Sequence, residues 1–483
     1  MNNIFKSKYT QASTLYVILG ILPSAINFLL LPLYLKYLDV SDYGLLVLIN
    51  LYAGLFNIFG CLQLNIAANT QYFAKGLDRE NYRKGVLYAT FFISTVMFLI
   101  FSAFGGVFFS FYKTDFSFYP LGFIGLVSAT LTVWHTIMLV FLKNEYRLKE
   151  FGLFSIALTI LGIGFQSYFI IELQWGLSGI LYGILFSKII IIPFLIFYFR
   201  KWLIIHLKNL KETLKYGRMA LKFSLPFLPS ILLYWVQTLG DRFVLERFVS
   251  IEKVGQYAVI LALLTFPQVV VNAVMNAFKP KLLQLLNDEK HSLIQKAEFL
   301  FTSFIVLSLV FVLFLGTHLD WITDNNKYID INQYLFLGVL AILPSSMLYM
   351  HQLKIMRVEK TGDISKYAFY AFLTQFLLLF LLVPRYGISG ALISFGLSGL
   401  LNYTLNAINS YGIHHYSVSK ILQPAVAFII LVLAGVTLIH FSPLSIKTVA
   451  EIVALLTIIL LTVILRKEIQ QTYSIILSSN KQE

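Results

Sequence analysis

The chain is poor in charge and almost without cysteine: Asp, Glu, Lys and Arg make up 12% of its 483 residues, and Cys61 is the one thiol. A single cysteine excludes an internal disulfide and any cysteine-built metal cluster, and its place inside an apolar stretch suits a small core residue. Also missing are the G-x-x-x-x-G-K-[ST] loop that cradles nucleotide phosphates, the H-E-x-x-H zinc helix and the G-x-S-x-G nucleophile elbow. Transport powered by an ATPase domain within this chain is thereby excluded, and no cofactor or metal is implied. The eight histidines are dispersed. His414 and His415, adjacent in sequence, do not share a helix face, and the histidines are read as interfacial residues. No outward loop is long enough to form a domain; the longest runs from about His318 to Ile331. A sugar polymerase or ligase working outside a membrane would need more extramembrane surface, so transport fits better than catalysis.

What the chain has is hydrophobicity: 58% of residues are apolar and the mean hydropathy is +0.78. Water cannot be the solvent for most of such a sequence. A spanning helix takes about 20 apolar residues, and fourteen stretches qualify. Their cores are 12–35, 44–67, 85–111, 118–142, 151–173, 176–199, 221–240, 255–278, 297–317, 332–353, 366–383, 386–410, 421–440 and 446–465. The first exceeds the apolar region of a signal peptide and no small-x-small cleavage pattern follows it, so it is expected to remain as a span. The predicted class is an all-α integral membrane protein with about 14 transmembrane helices.

Net charge is +14, but the placement of that charge removes the need for a nucleic-acid partner. With the amino terminus inside, alternate connections and the two termini hold 28 Lys and Arg, the opposite connections hold 8, and Lys188 completes the 37. That asymmetry places both termini in the cytoplasm.

The chain also repeats itself. At an offset of 211 residues, Gly176-Leu-Ser-Gly179 matches Gly387-Ile-Ser-Gly390 and Leu142-Lys143 matches Leu353-Lys354. "KYLDVSDYGLLVL" (Lys36 to Leu48) echoes "RFVSIEKVGQYAVI" (Arg247 to Ile260), and "ILPSAINFLL" around Pro23 echoes "FLPSILLYWV" around Pro229. Each match is weak alone, but their shared order and near-constant offset indicate duplication. The expected organisation is a six-helix bundle over 1–204, a basic cytoplasmic connection over 205–220 and a second six-helix bundle over 221–412. Residues 413–483 add two helices and a cytoplasmic tail. Six is even, so the bundles cross in the same sense and a pseudo-twofold along the membrane normal should relate them, with a cavity between. Pro23 and Pro32 fall in the first span, Pro226 and Pro229 in its repeat mate. Each removes a helical hydrogen bond, so these helices are candidates for kinks and gates, although membrane helices also tolerate proline without function.

Lys188 lies near the middle of the sixth span, about 18 Å from either end at 1.5 Å per residue, too deep for its side chain to reach water. A cation there costs about 2.5–3.5 kcal/mol, so it faces a cavity or a counter-ion. Two readings follow: a contact for an anionic substrate, or a structural pair with Asp241 or Glu246. "LGDRFVLERF" (Leu239 to Phe248) brings Asp241, Arg242, Glu246 and Arg247 to the outer end of the seventh span, as a second substrate-facing cluster or as an ordinary interfacial charge belt. Lys36 aligns with Arg247 and Lys188 aligns with Gly399, so one half would offer a cation and the other room.

The stretches "LPLYLKYLDVSDYG" (Leu31 to Gly44) and "DRFVLERFVSIEKVGQYAV" (Asp241 to Val259), with the repeated "GLSG" and "GISG", resemble Wzx-type polysaccharide flippases. These belong to the multidrug/oligosaccharidyl-lipid/polysaccharide exporter superfamily. The resemblance covers essentially the whole chain through degenerate motifs. It implies a bacterial inner-membrane protein that moves undecaprenyl-pyrophosphate-linked oligosaccharide to the outer leaflet by alternating access, with membrane lipids, a polysaccharide polymerase and a chain-length regulator as partners. It also implies a cationic cavity, a role for Lys188, Arg242, Arg247 and Lys36. Family members often have twelve spans, and fourteen is similar to the lipid II flippases. Asp241 and Glu246 are candidates for coupling or ion pairing. The alternatives are a cation-coupled multidrug exporter of the same superfamily, which would need acids in the cavity, and a membrane glycosyltransferase or polymerase.

Overall fold

Backbone polar groups have no partner in hydrocarbon, so a spanning chain must satisfy them internally. This chain does so with helices alone among the residues that its computed structural model describes, which are 30–74, 76–111, 117–203, 210–288, 291–321, 331–358, 361–413 and 418–479. Pro23, most of the first expected span and His414-His415 lie outside the described residues. The helices run in the order α1 (30–37), α2 (Val40–Cys61), α3 (Leu64–Gln71), α4 (Arg79–Ser110), α5 (Phe123–Asn144), α6 (Leu148–Ser167), α7 (Gly176–Tyr198) and α8 (Arg200–Leu203). They continue as α9 (Leu210–Ser224), α10 (Leu228–Phe248), α11 (Ile251–Asn287), α12 (His291–Thr317), α13 (Asn332–Arg357), α14 (Thr361–Ile413), α15 (Val418–Phe441) and α16 (Ile446–Ser479).

Ten helical segments among the described residues are long and apolar enough to cross a membrane. One of them, Gly362–Tyr411, contains the eleventh and twelfth expected spans, separated at the non-helical Gly387, and α10 and α11 cover the seventh and eighth. Together the described helices cover thirteen of the fourteen expected spans, the first lying mostly outside the described residues.

Contacts divide the chain into two compact units, Met1–Ala258 and Val259–Glu483. Within the first, α5 is the central helix, packed by α2, α4 and α7. Its buried side chains include Ile124, Leu126, Val133, Ile137, Phe141 and Leu142. Within the second, α12 takes that place, against α13, α15 and α16.

Local chemistry sets several boundaries. Asp78 caps α4, its carboxylate accepting from the backbone N–H of Glu80 and of Asn81, each at 3.1 Å. The second expected span is not one helix. Leu62 and Gln63 take left-handed φ of 42° and 59°, which splits it into α2 and α3. The repeated glycines share a φ: Gly176, which opens α7, and Gly387, which interrupts α14, both have φ 52°, a value that side-chain-bearing residues rarely adopt. Gly399 offers no room, contrary to expectation. A Cβ there would lie 2.5 Å from Ser345 Oγ, so the glycine marks a close approach of α14 to α13.

The duplicated outer segments meet reciprocally. A side chain on Gly44 would strike Ile251, and one on Gly255 would strike Val40. At the offset of 211, Gly44 corresponds to Gly255 and Val40 to Ile251. Each member of one pair touches the counterpart of its own neighbour, which is the signature of a local twofold.

The stretch expected as a basic connection contains an ordered helix. Thr213, Gly217, Ala220 and Ser224 form a buried stripe on α9, and α9 packs on α3 and α4. Gly217 and Gly85 meet backbone to backbone. The small residues allow this contact, as they do between membrane helices. Pro226 and Pro229 sit at the first positions of the turn Leu225–Phe227 and of α10. Ser224, Phe227 and Leu228 keep right-handed helical φ/ψ around them, so the prolines fall where α9 tightens into a 3-10 turn before α10. Pro32 lies within α1.

Candidate functional site

Lys188 stands 12 residues from the start of α7 and 10 from its end. Its ammonium donates to the Ser128 carbonyl at 3.0 Å and to Thr132 Oγ1 at 2.6 Å. Thr132 Oγ1 donates in turn to the Ser128 carbonyl at 2.8 Å. Among the described residues no carboxylate pairs with it, so the alternative of a structural pair with Asp241 or Glu246 is set aside. An ammonium has three donors and these bonds use two.

Ser128, Thr132 and His135 fall at i, i+4 and i+7 of α5 and share one face. Ser128 Oγ and His135 Nε2 are buried there without a hydrogen-bond partner among the described residues. A cation held only by neutral oxygens, beside two unsatisfied polar atoms, is a site with capacity to spare for an anion's oxygens. His135 is therefore a buried helical residue, not an interfacial one, and Ser128, Thr132 and His135 were missed from sequence. The signal was their spacing on one helix face, visible only once α7 was known to face α5.

The second cluster separates into a buried and an exposed part. Asp241 and Glu246 are buried. Asp241 accepts from Arg242 Nη1 at 3.1 Å and from the Tyr257 hydroxyl at 2.5 Å. Arg242 is thus partly neutralised on its own helix. Arg247 is exposed, and its guanidinium reaches the Phe111 carbonyl at 3.4 Å. Lys36 is exposed on α1. The structure joins Asp241, Arg242 and Tyr257, and places Lys188 on a different pair of helices, hydrogen-bonded to none of them.

The second unit holds a charge pair of which one member, Lys354, lies just beyond the tenth expected span and the other, Glu298, inside the ninth. Lys354, inside α13, is fully buried and ion-paired with buried Glu298 of α12. Its ammonium lies 5.1 Å from the Tyr411 ring centre, and one turn earlier His351 Nδ1 lies 2.8 Å from Ser410 Oγ. The clue in sequence was Lys354 itself, matched with exposed Lys143 in the repeat, but its partner lies on another helix.

No protein-family model and no curated protein matches the chain. Solved structures do. Lipid II flippase MurJ in an inward closed conformation aligns over 94% of this chain and 99% of its own, with a TM-score of 0.65 at 13% identity. An inward-facing multidrug resistance MATE family transporter of the MOP superfamily covers 81% and 94%, with a TM-score of 0.61 at 13% identity. A mutant of the Vibrio cholerae MATE transporter VcmN covers 85% and 98%, with a TM-score of 0.52 at 15% identity. The chain is a polytopic helical membrane protein. Its fold is the one found in these flippase and multidrug-transporter structures.

Proposed function

We propose that the chain is a flippase carrying undecaprenyl-pyrophosphate-linked oligosaccharide repeat units, of O-antigen, capsule or another surface polysaccharide, from the cytoplasmic to the outer leaflet. It would work in a bacterial inner membrane by alternating access, with both termini cytoplasmic. The observation that carries the reading is Lys188, a mid-membrane cation whose partners are two neutral oxygens. A pyrophosphate cannot cross hydrocarbon unaided. The third ammonium donor of Lys188, with Ser128 and His135 beside it, would replace its water. Arg242 would supply further positive charge, and Arg247 and Lys36 would meet the anion at the membrane face. An inside-negative potential favours outward movement of the anion by about 2.3 kcal/mol per charge per 100 mV, so no coupling acid is required.

The lipid part of the substrate would have a place too. An apolar cavity of about 650 Å³ in the second unit is lined by Leu300, Phe304 and Leu307 of α12 and by Ile458, Leu461 and Leu465 of α16. It would shelter isoprenyl chain, giving a helix beyond the duplicated twelve a purpose. A polymerase and a chain-length regulator would act on the product. Deleting the gene should strand lipid-linked glycan on the cytoplasmic leaflet, read by loss of surface glycan; unchanged surface glycan would end this reading.

A cation-coupled multidrug exporter is the second reading, favoured by the burial of Asp241, Glu246 and Glu298. It predicts that the deletion strain becomes sensitive to cationic drugs while its surface glycan stays intact.

A further inference from the structure

The four cations of α9 form a surface that neither the fold nor the proposed transport uses. At about 100° per residue, Lys211, Lys215, Arg218 and Lys222 fall within an arc of about 60°. All four are exposed. Among the described residues none of them takes part in an ion pair. The one acid of the helix, Glu212, lies outside the arc and is engaged by Asn81 Nδ2 at 3.4 Å.

The surroundings identify which environment the arc meets. The opposite face of α9 is the small-residue stripe clamped on α3 and α4. Its contact with α4 is at Gly85, where the apolar run of that helix begins. α9 therefore lies level with the membrane boundary. On the flank next to the arc, Leu214 is 61% exposed and Leu210 is 39% exposed. Exposed leucines beside a row of cations on an interfacial helix are the arrangement that seats apolar side chains among acyl chains and cations among headgroups.

We propose that α9 is a docking surface for anionic phospholipid headgroups. From Lys211 to Lys222 the row is about 16 Å long at 1.5 Å per residue, so it matches several neighbouring headgroups and not one pyrophosphate. Each cation near an anionic surface strengthens attraction by about fivefold. α9 passes through the turn Leu225–Phe227 directly into α10, so lipid held here anchors the helix that carries Asp241 and Arg242. The surface is independent of whichever substrate the protein moves.

The test uses the purified full chain in detergent, titrated with dioleoylphosphatidylglycerol or with dioleoylphosphatidylcholine, bound lipid being counted by native mass spectrometry. The wild type should bind phosphatidylglycerol preferentially, in a salt-sensitive way. K211Q/K215Q/R218Q/K222Q should lower phosphatidylglycerol binding more than tenfold and leave phosphatidylcholine unchanged. The half variants K211Q/K215Q and R218Q/K222Q, less demanding on folding, should each lose part of it. A control, K149Q/R200Q/K201Q/K366Q, removes the same charge elsewhere and should bind as the wild type does. Undiminished phosphatidylglycerol binding by the α9 variants, or an equal loss in the control, overturns the proposal.

Discussion

Lys188→Ala is expected to cut glycan export tenfold or more while the protein remains in the membrane at normal levels. Both halves of that result follow from the position of the residue. A mid-membrane cation costs about 2.5–3.5 kcal/mol, so removing it relieves insertion and cannot by itself expel the helix. The interaction lost is a charge-assisted hydrogen bond to an anion, about 1.5–3 kcal/mol, and each 1.4 kcal/mol is a factor of ten. Lys188→Arg should retain part of the activity, because charge is kept while the fit to Ser128 and Thr132 changes. Arg242→Ala should also impair export, in a second and separate way, since it frees Asp241, to which Arg242 is bound at 3.1 Å. Surface glycan together with membrane abundance measures the outcome. Normal export in both variants would remove these residues from the site, and unchanged export in Lys188→Ala alone would remove Lys188 from it.

The second large effect concerns Glu298 and Lys354. Both are buried and ion-paired, so Glu298→Ala or Lys354→Ala removes the counter-ion of a buried charge inside the second unit. Breaking a buried pair by removing one partner costs about 3–5 kcal/mol. That is a large share of the 5–15 kcal/mol of a typical domain, roughly. Each single variant should therefore lose most of its thermal stability in detergent. The double variant Glu298→Leu with Lys354→Met should regain it, because replacing a buried pair with apolar side chains of similar size is often neutral or stabilising. Singles that melt with the wild type would show that the pair is not the brace its burial suggests.

What the sequence disclosed and what it withheld divide along the range of the interactions. Spans are local events, set by runs of apolar residues, and the number near fourteen was legible for that reason. So was the repeat, down to Gly176 and Gly387, whose shared φ of 52° restates a shared "G-x-S-G". Partnerships across helices were not legible. Lys188 stood out by its depth, but its partners are a carbonyl and a hydroxyl on α5, and no spacing within α7 names them. Lys354 sits at the end of an apolar run and reads as a connection until Glu298 is placed against it. Gly399 looked like space opposite a lysine, whereas a glycine between helices more often marks contact. The helix α9 was hidden by its charge, although its stripe of Thr213, Gly217, Ala220 and Ser224 has the spacing of a packing face.

If this chain moves a lipid-linked anion and Lys188 meets it, the purified protein should carry that anion across a bilayer by itself. The most direct measurement reconstitutes the purified protein in vesicles with undecaprenyl-pyrophosphate-linked oligosaccharide confined to the leaflet facing the cytoplasmic side of the protein. Appearance of the glycan on the opposite leaflet is then followed with a membrane-impermeant lectin. Glycan should appear on the opposite leaflet with the wild type, and at least tenfold less of it with Lys188→Ala. Vesicles in which the wild type moves no glycan, or in which the variant moves it equally well, would contradict this reading.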